Sequence, residues 1–208
     1  MGHTGAVRDV ARFWDEKYRQ GDPLGRKPAS LLVENRRLLP TGGKALDVAM
    51  GRGRNALYLA SLGFEVIGID ISPVAAEHCR REAERQGLKV TPILGDLESY
   101  QLPKEEYDLI INFYYLDRSL SPRLVEALKP DGVLAFETFT IGQLAFGWGP
   151  TNPEWLLRLG ELRTMFPSLE TLLYREGVFD SERGKKAIAS LIARKLPGWR
   201  RSPSFPAN

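Results

Sequence analysis

At 208 residues, 43 % of them apolar and 26 % charged, the chain has the bulk for one well-buried domain and too little for two ordinary ones. Its net charge of +3 is uneven: beyond Glu182 there is no acid, only the bases Arg183, Lys185, Lys186, Arg194, Lys195, Arg200 and Arg201. No apolar run nears a membrane span, no signal-peptide pattern opens the chain, one cysteine (Cys79) fits a reducing cytoplasm, and two histidines (His3, His78) argue against a zinc site.

Residues 6–20 read as a helix with Val7, Val10, Trp14 and Tyr18 on one stripe, stopped by Gly21-Asp22-Pro23. A second helix is expected over 28–39, with Pro28 in its first turn and Leu31, Leu32, Asn35, Leu38 and Leu39 at helical spacing. Strand and helix then alternate. Strands are expected over 44–48, 64–69, 90–94, 107–112 and 133–139, and helices over 54–62, 73–86 and from Ser121-Pro122 to Lys129. Ser72 caps the 73–86 helix with Pro73 at its first position. These strands are apolar almost throughout, as strands covered on both faces are. Repeated β-α-β crossovers predict an α/β fold, a doubly wound, mostly parallel sheet.

The last two strands, 169–174 and 186–194, have no helix between them. The join over 176–185 looks like a hairpin, so one of the two runs antiparallel. Seven strands result, the sheet ending in an antiparallel hairpin.

Ligands of such sheets bind beyond the carboxyl ends of the strands, where strand order reverses. Three expected strand ends carry acids: Asp47, then Asp70 and Asp96, spaced 23 and 26 residues on. Between the first strand and its helix lies Ala49-Met50-Gly51-Arg52-Gly53-Arg54-Asn55, where Gly51 and Gly53 allow a tight bend and close backbone approach. The helix start near Arg54 offers free N–H groups to an anion. Asp47 would repel a pyrophosphate but favours an ammonium group. Asp70 either accepts ribose hydroxyls or makes a local turn bond before Ser72. Asp96 either accepts the exocyclic amine of an adenine, with Leu97 beneath the ring, or closes a Gly-Asp turn.

These residues resemble the class I S-adenosylmethionine-dependent methyltransferases, whose loop has the form Asp-x-Gly-x-Gly-x-Gly. The resemblance covers roughly residues 30–195 and departs at Ala49, where the family usually has glycine; the loop is expected to survive unless that position needs a positive φ. The run Gly53-Arg54-Asn55-Ala56-Leu57-Tyr58-Leu59-Ala60, with Trp14-Asp15-x-x-Tyr18, is similar to the tellurite-resistance methyltransferases. The resemblance implies S-adenosyl-L-methionine as cofactor and a binding set of Asp47, Ala49, Gly51, Gly53, Arg54, Asn55, Asp70, Ile71, Asp96, Leu97 and Asn112, with Trp14 and Tyr18 as a cover. Two roles stand open for Arg54, near the cofactor's carboxylate or at the surface, and two for Trp14 and Tyr18, cover or core.

In-line transfer from a sulfonium mainly needs an aligned nucleophile and excluded water, so no catalytic triad is expected, and none is visible. The substrate wall is expected at Phe113, Tyr114, Tyr115, Leu116, Asp117 and Arg118, and at Glu137–Thr140, Phe146 and Trp148. Phe113 and Phe139 are expected in the core. Glu137, inside an apolar strand, either faces substrate or forms a buried ion pair. Glu137 and Tyr114 are the catalytic candidates; no metal ligand is expected.

The whole is expected to act on a small molecule: an oxyanion such as tellurite, a thiol or a small metabolite. Alternatives are a non-catalytic cofactor-binding module, an RNA methyltransferase using the basic C-terminal segment, and a nicotinamide-dependent oxidoreductase, for which Ala56 stands where a third glycine belongs. Residues 1–40 are read as helices covering the cofactor, 41–196 as the methyltransferase domain and 197–208 as a basic tail. The charge of residues 183–201 is read first as a solvated strand face and tail; nucleic acid is the lesser reading, and no membrane partner is expected.

Overall fold

The computed structural model describes residues 3–21 and 25–198, with residues 3–7 as backbone alone. The side chains of His3 and Val7, the expected helix stop at Asp22-Pro23, and Trp199, Arg200 and Arg201 of the basic tail lie outside the described residues.

Strands β1 (Gly43–Val48), β2 (Phe64–Asp70), β3 (Val90–Leu94), β4 (Tyr107–Phe113), β5 (Leu128–Phe139), β6 (Glu170–Ser181) and β7 (Gly184–Arg194) form one sheet, ordered β3-β2-β1-β4-β5-β7-β6. The first five are mutually parallel, and β7 runs antiparallel to both β5 and β6. Strand order reverses beside β1, which lies between β2 and β4.

Six α-helices accompany the sheet among the described residues: α1 (His3–Gln20), α2 (Ser30–Glu34), α3 (Arg54–Ser61), α4 (Pro73–Gln86), α5 (Ser121–Ala127) and α6 (Glu161–Met165). None is long and apolar enough to cross a membrane. The period-two alternation of each strand divides the core. Ala45, Leu109, Ile111 and Ala135 meet Leu31, Leu32, Ala56 and Leu59 of α2 and α3. Leu46, Val48, Ile110, Leu134 and Phe136 meet Leu124 and Val125 of α5 and Leu162 of α6. Ser72 caps α4 as its sequence predicts, accepting the Ala75 N–H at 3.1 Å.

Three expectations need correction. The 28–39 helix is a five-residue α2 followed by a 3-10 turn over Arg36–Leu38. There Asn35 donates its side-chain amide to the Leu31 carbonyl at 2.9 Å, the local bonding by which asparagine competes with a helix backbone. The final hairpin is far tighter than its composition suggested, with only Glu182 and Arg183 between strands; Gly184 takes φ +99°, and the Ser181 hydroxyl closes the turn on the Gly184 carbonyl. Val10 faces solvent, whereas Trp14 and Tyr18 of the same helix are half-buried.

Candidate active site

Strand β1 delivers its loop at the switch point. Ala49 has φ +52°, Gly51 φ +57° and Gly53 φ +83°, so three left-handed residues turn the chain from β1 into α3. A Cβ on Gly53 would stand 2.2 Å from the Cys79 sulfur, so α3 and α4 approach through that glycine. A Cβ on Gly51 would stand 2.8 Å from the Tyr18 hydroxyl. Ala49 occupies the one position where the departure from glycine carries backbone strain. We expect Ala49→Gly to stabilise the chain by about 0.5–1 kcal/mol, the left-handed penalty less the entropy glycine adds to the unfolded state. A lower urea midpoint for the variant would contradict this.

Asp70 secures that loop. Its carboxylate accepts the Gly51 N–H at 2.7 Å and the Ser72 N–H at 2.9 Å, and the N–H of half-buried Ile71 also faces it. Burial raises its pKa, against the pull of these N–H groups. Asp47 is 2 % exposed and its Oδ2 has no hydrogen-bond partner; Asn112, 1 % exposed at the end of β4, leaves its Oδ1 equally unmet. Burial pushes the Asp47 carboxyl up to about 8, opposed by the Arg54 charge.

The folded chain therefore keeps the Asp47 proton over a range in which the unfolded chain has lost it. Stability falls as pH rises from about 4, the unfolded value, towards the folded value of about 8. Asp47→Asn is expected to flatten that fall and to be more stable than the parent chain above pH 8. Denaturant unfolding at pH 5 and pH 8.5 checks the crossover.

Other expected residues are placed around this bend. Asn55 is buried and accepts the Ala29 N–H at 2.9 Å, while Arg54 donates to the Lys27 carbonyl at 2.9 Å. Both thereby tie residues 27–29 to the start of α3. Arg54 also lies 5.8 Å from the Tyr114 ring centre. Asp96 is half-buried after β3, its Oδ1 accepting the Glu98 N–H at 3.0 Å, and Leu97 is buried in the core. Trp14 stacks on Tyr18 with centroids 5.8 Å apart, and Asp15 beside them accepts the Ser72 hydroxyl at 2.5 Å.

A second cluster lies at the ends of β4 and β5. Tyr114 (φ +63°) donates its hydroxyl to Glu137 Oε1 at 2.7 Å, and Ser190 donates to Oε2 at 2.7 Å. Arg175 and Lys186 each stand 3.7 Å from the same carboxylate, and Lys186 donates to the Tyr114 oxygen at 3.0 Å. Sequence reasoning missed Ser190, Arg175 and Lys186, whose approach to Glu137 is set by strand register. Two bases of the C-terminal run turn inward, correcting its reading as a solvated face. One is Lys186; the other is Lys195, 1 % exposed and donating to the Leu128 carbonyl at 2.6 Å. Phe113 and Phe139 are core, as expected. Among the described residues no three His, Cys, Asp or Glu side chains converge on a metal-sized site.

The doubly wound sheet with its antiparallel end strand, and the acid-flanked glycine bend at the switch point, have the form of the class I S-adenosylmethionine-dependent methyltransferases, whose cofactor is S-adenosylmethionine. Residues 45–132 match the family model described as a methyltransferase domain. More particularly, the chain resembles TehB of Haemophilus influenzae, a probable S-adenosyl-L-methionine-dependent methyltransferase. It is 24 % identical over 164 residues, 73 % of this chain and 57 % of TehB. The TehB crystal structure superposes with a TM-score of 0.67 at 22 % identity, over 89 % of this chain and 66 % of that one. The ribosomal protein L11 methyltransferase of Thermus thermophilus is 36 % identical over 98 residues, 46 % of this chain and 38 % of the relative. A structure solved for the conversion of a disulfide into a thioacetal in echinomycin biosynthesis shares the fold, with a TM-score of 0.70 at 21 % identity over 91 % and 93 % of the two chains. The chain thus spans between about two fifths and three fifths of the length of these two curated relatives.

The unmet polar groups at the strand ends suit that cofactor. Two buried acceptors, Asp47 Oδ2 and Asn112 Oδ1, lack donors. An aminoacyl nucleoside carries the ammonium and hydroxyl donors that such acceptors need.

Proposed function

We propose that the chain transfers the methyl group of S-adenosylmethionine to a small molecule of the oxyanion, thiol or small-metabolite class. The orphaned pair Asp47 and Asn112 at neighbouring strand ends carries the cofactor part of this reading. A pyrophosphate there would oppose ionisation of Asp47 still further, whereas a ligand ammonium group would favour it, which argues against a nicotinamide cofactor.

When bound, the cofactor supplies a methyl group already activated by a sulfonium. Asp47 and Asn112 hold its amino-acid end, Asp70 its ribose and Asp96 its base, with Ile71 and Leu97 against the apolar faces. Residues 1–40 cover the crevice through Tyr18 over Gly51 and through the 27–29 segment tied to Arg54 and Asn55. Tyr114 faces the acceptor, held from behind by the buried, ion-paired carboxylate of Glu137. Arg54 and Lys186, both within 6 Å of the Tyr114 ring centre, favour an acceptor with negative charge. Tyr114 holds its proton firmly, since burial and the Glu137 carboxylate both raise its pKa; its hydroxyl orients rather than abstracts.

Calorimetric titration with S-adenosylhomocysteine and with NADH tests the cofactor, and transfer of a labelled methyl group to selenite, small thiols or hydroxy acids, with S-adenosylhomocysteine formed alongside, tests the acceptor. Binding of NADH alone would overturn the proposal. Glu137→Gln is expected to lower kcat about tenfold or more while leaving S-adenosylhomocysteine affinity unchanged. An equal loss in both would mean that Glu137 serves stability and does not position Tyr114.

A further inference from the structure

The crossover from β3 to β4, residues 95–106, is the one parallel connection among the described residues without a helix; it consists of turns. Its first half carries Asp96 and Leu97. That half is held from α5 by one guanidinium. Arg123 donates from Nη1 to the carbonyls of Leu97 at 3.0 Å and Glu98 at 3.3 Å, and from Nη2 to the carbonyl of Tyr100. Three carbonyls on one fork define the path of three of the four residues that follow Asp96.

The loop is also closed on Asp96 itself. Its backbone carbonyl accepts the N–H groups of Ser99 at 3.1 Å and Tyr100 at 2.8 Å, and its Oδ1 accepts the Glu98 N–H at 3.0 Å. The Gly95 N–H bonds the Asp70 carbonyl at 3.0 Å, and the Tyr100 ring packs against Gly95. The direction of the Asp96 carboxylate is therefore set by the turn that Arg123 clamps. Releasing the clamp leaves three carbonyls to find other donors.

We propose that Arg123 is a positioning residue that gives the cofactor site its preference for adenine over a 6-oxo purine. The inference rests on the reading that Asp96 accepts the exocyclic amine of the cofactor's base. A 6-oxo base presents an acceptor where adenine presents that donor, so it meets the Asp96 carboxylate with repulsion. Such selectivity requires the carboxylate to be held still, because a loose acid swings to water and discriminates little.

The test compares S-adenosylhomocysteine with its 6-oxo counterpart, S-inosylhomocysteine, by calorimetry on the full chain and on Arg123→Ala and Arg123→Lys. The parent chain should prefer the adenosyl ligand by about tenfold or more, the worth of one hydrogen bond to a charged group. Arg123→Ala should lose most of that preference by weakening the adenosyl ligand alone, and Arg123→Lys, which keeps one charged donor, should recover part of it. A variant with a lowered melting temperature but the parent's ligand ratio would overturn the proposal, since a clamp serving stability alone moves both affinities together. If Arg123→Ala does not fold, an unchanged ratio in Arg123→Lys together with full stability overturns it as well. A parent chain that binds both ligands equally removes the Asp96 reading and the proposal with it. A parent chain that binds neither ligand removes the cofactor assignment instead.

Discussion

Asp70→Ala is expected to weaken S-adenosylhomocysteine binding about 100-fold, near 3 kcal/mol, because in the proposed site one carboxylate serves two purposes. Its oxygens accept the Gly51 and Ser72 N–H groups, which hold the bend against α4. Each oxygen keeps a second lone pair for a ribose hydroxyl. Removing the group strips the ligand of its acceptors and leaves two N–H groups unmet, costing roughly 1–3 kcal/mol of stability. Asp70→Asn keeps a neutral acceptor and should fall between the two chains in both properties. Calorimetry and a urea transition on all three decide it. Parent-like affinity in Asp70→Ala would show that the ribose binds elsewhere.

Gly53→Ala should be severely damaging for a single added methyl group. Glycine adopts φ +83° freely, and alanine does not. The added carbon would also sit 2.2 Å from the sulfur of Cys79, a fully buried residue with little room to retreat. A loss of about 3–4 kcal/mol is expected, combining overpacking with left-handed strain. Adding Cys79→Ala should restore the packing share and leave the strain, which a double-mutant cycle by thermal unfolding measures. Gly68→Ala is the contrast: its Cβ would meet Met50 Sδ at 2.1 Å, yet a flexible thioether end can swing aside. Equal losses at the two glycines would contradict this account.

The parts of the site that are local in sequence were legible before the fold. Asp47, Gly51, Gly53 and Asp70 sit within one β-α-β unit, where strand period, turn residues and cap positions follow from neighbours. Ala49 could be flagged as a departure but not as strained, since its positive φ depends on how the loop meets β2 through the Met50 N–H and the Ile69 carbonyl. The surroundings of Glu137 were beyond reach. Ser190 lies opposite it, and Arg175 opposite Ser190, only because β7 enters between β5 and β6 in one register. A slip of one residue would turn each of these side chains to the other face. The hairpin's length was misjudged for a related reason: Gly177, Asp180 and Glu182 read as loop residues, while pairing across the strands runs on to Ser181. Arg123 gave no signal, because a single arginine on a short helix looks like any solvated charge until its three carbonyls are seen.

The placement of β7 between β5 and β6 has a consequence for how the protein comes into being. As the polypeptide leaves the ribosome, β1 to β5 can assemble side by side, but β6 has no neighbour to bond when it appears. Until residues 184–194 arrive, β5 offers a bare row of amides and carbonyls, the kind of margin on which nascent chains stick to one another. A chain arrested before Gly184 should accumulate in the insoluble fraction, although it already possesses every residue of the glycine bend.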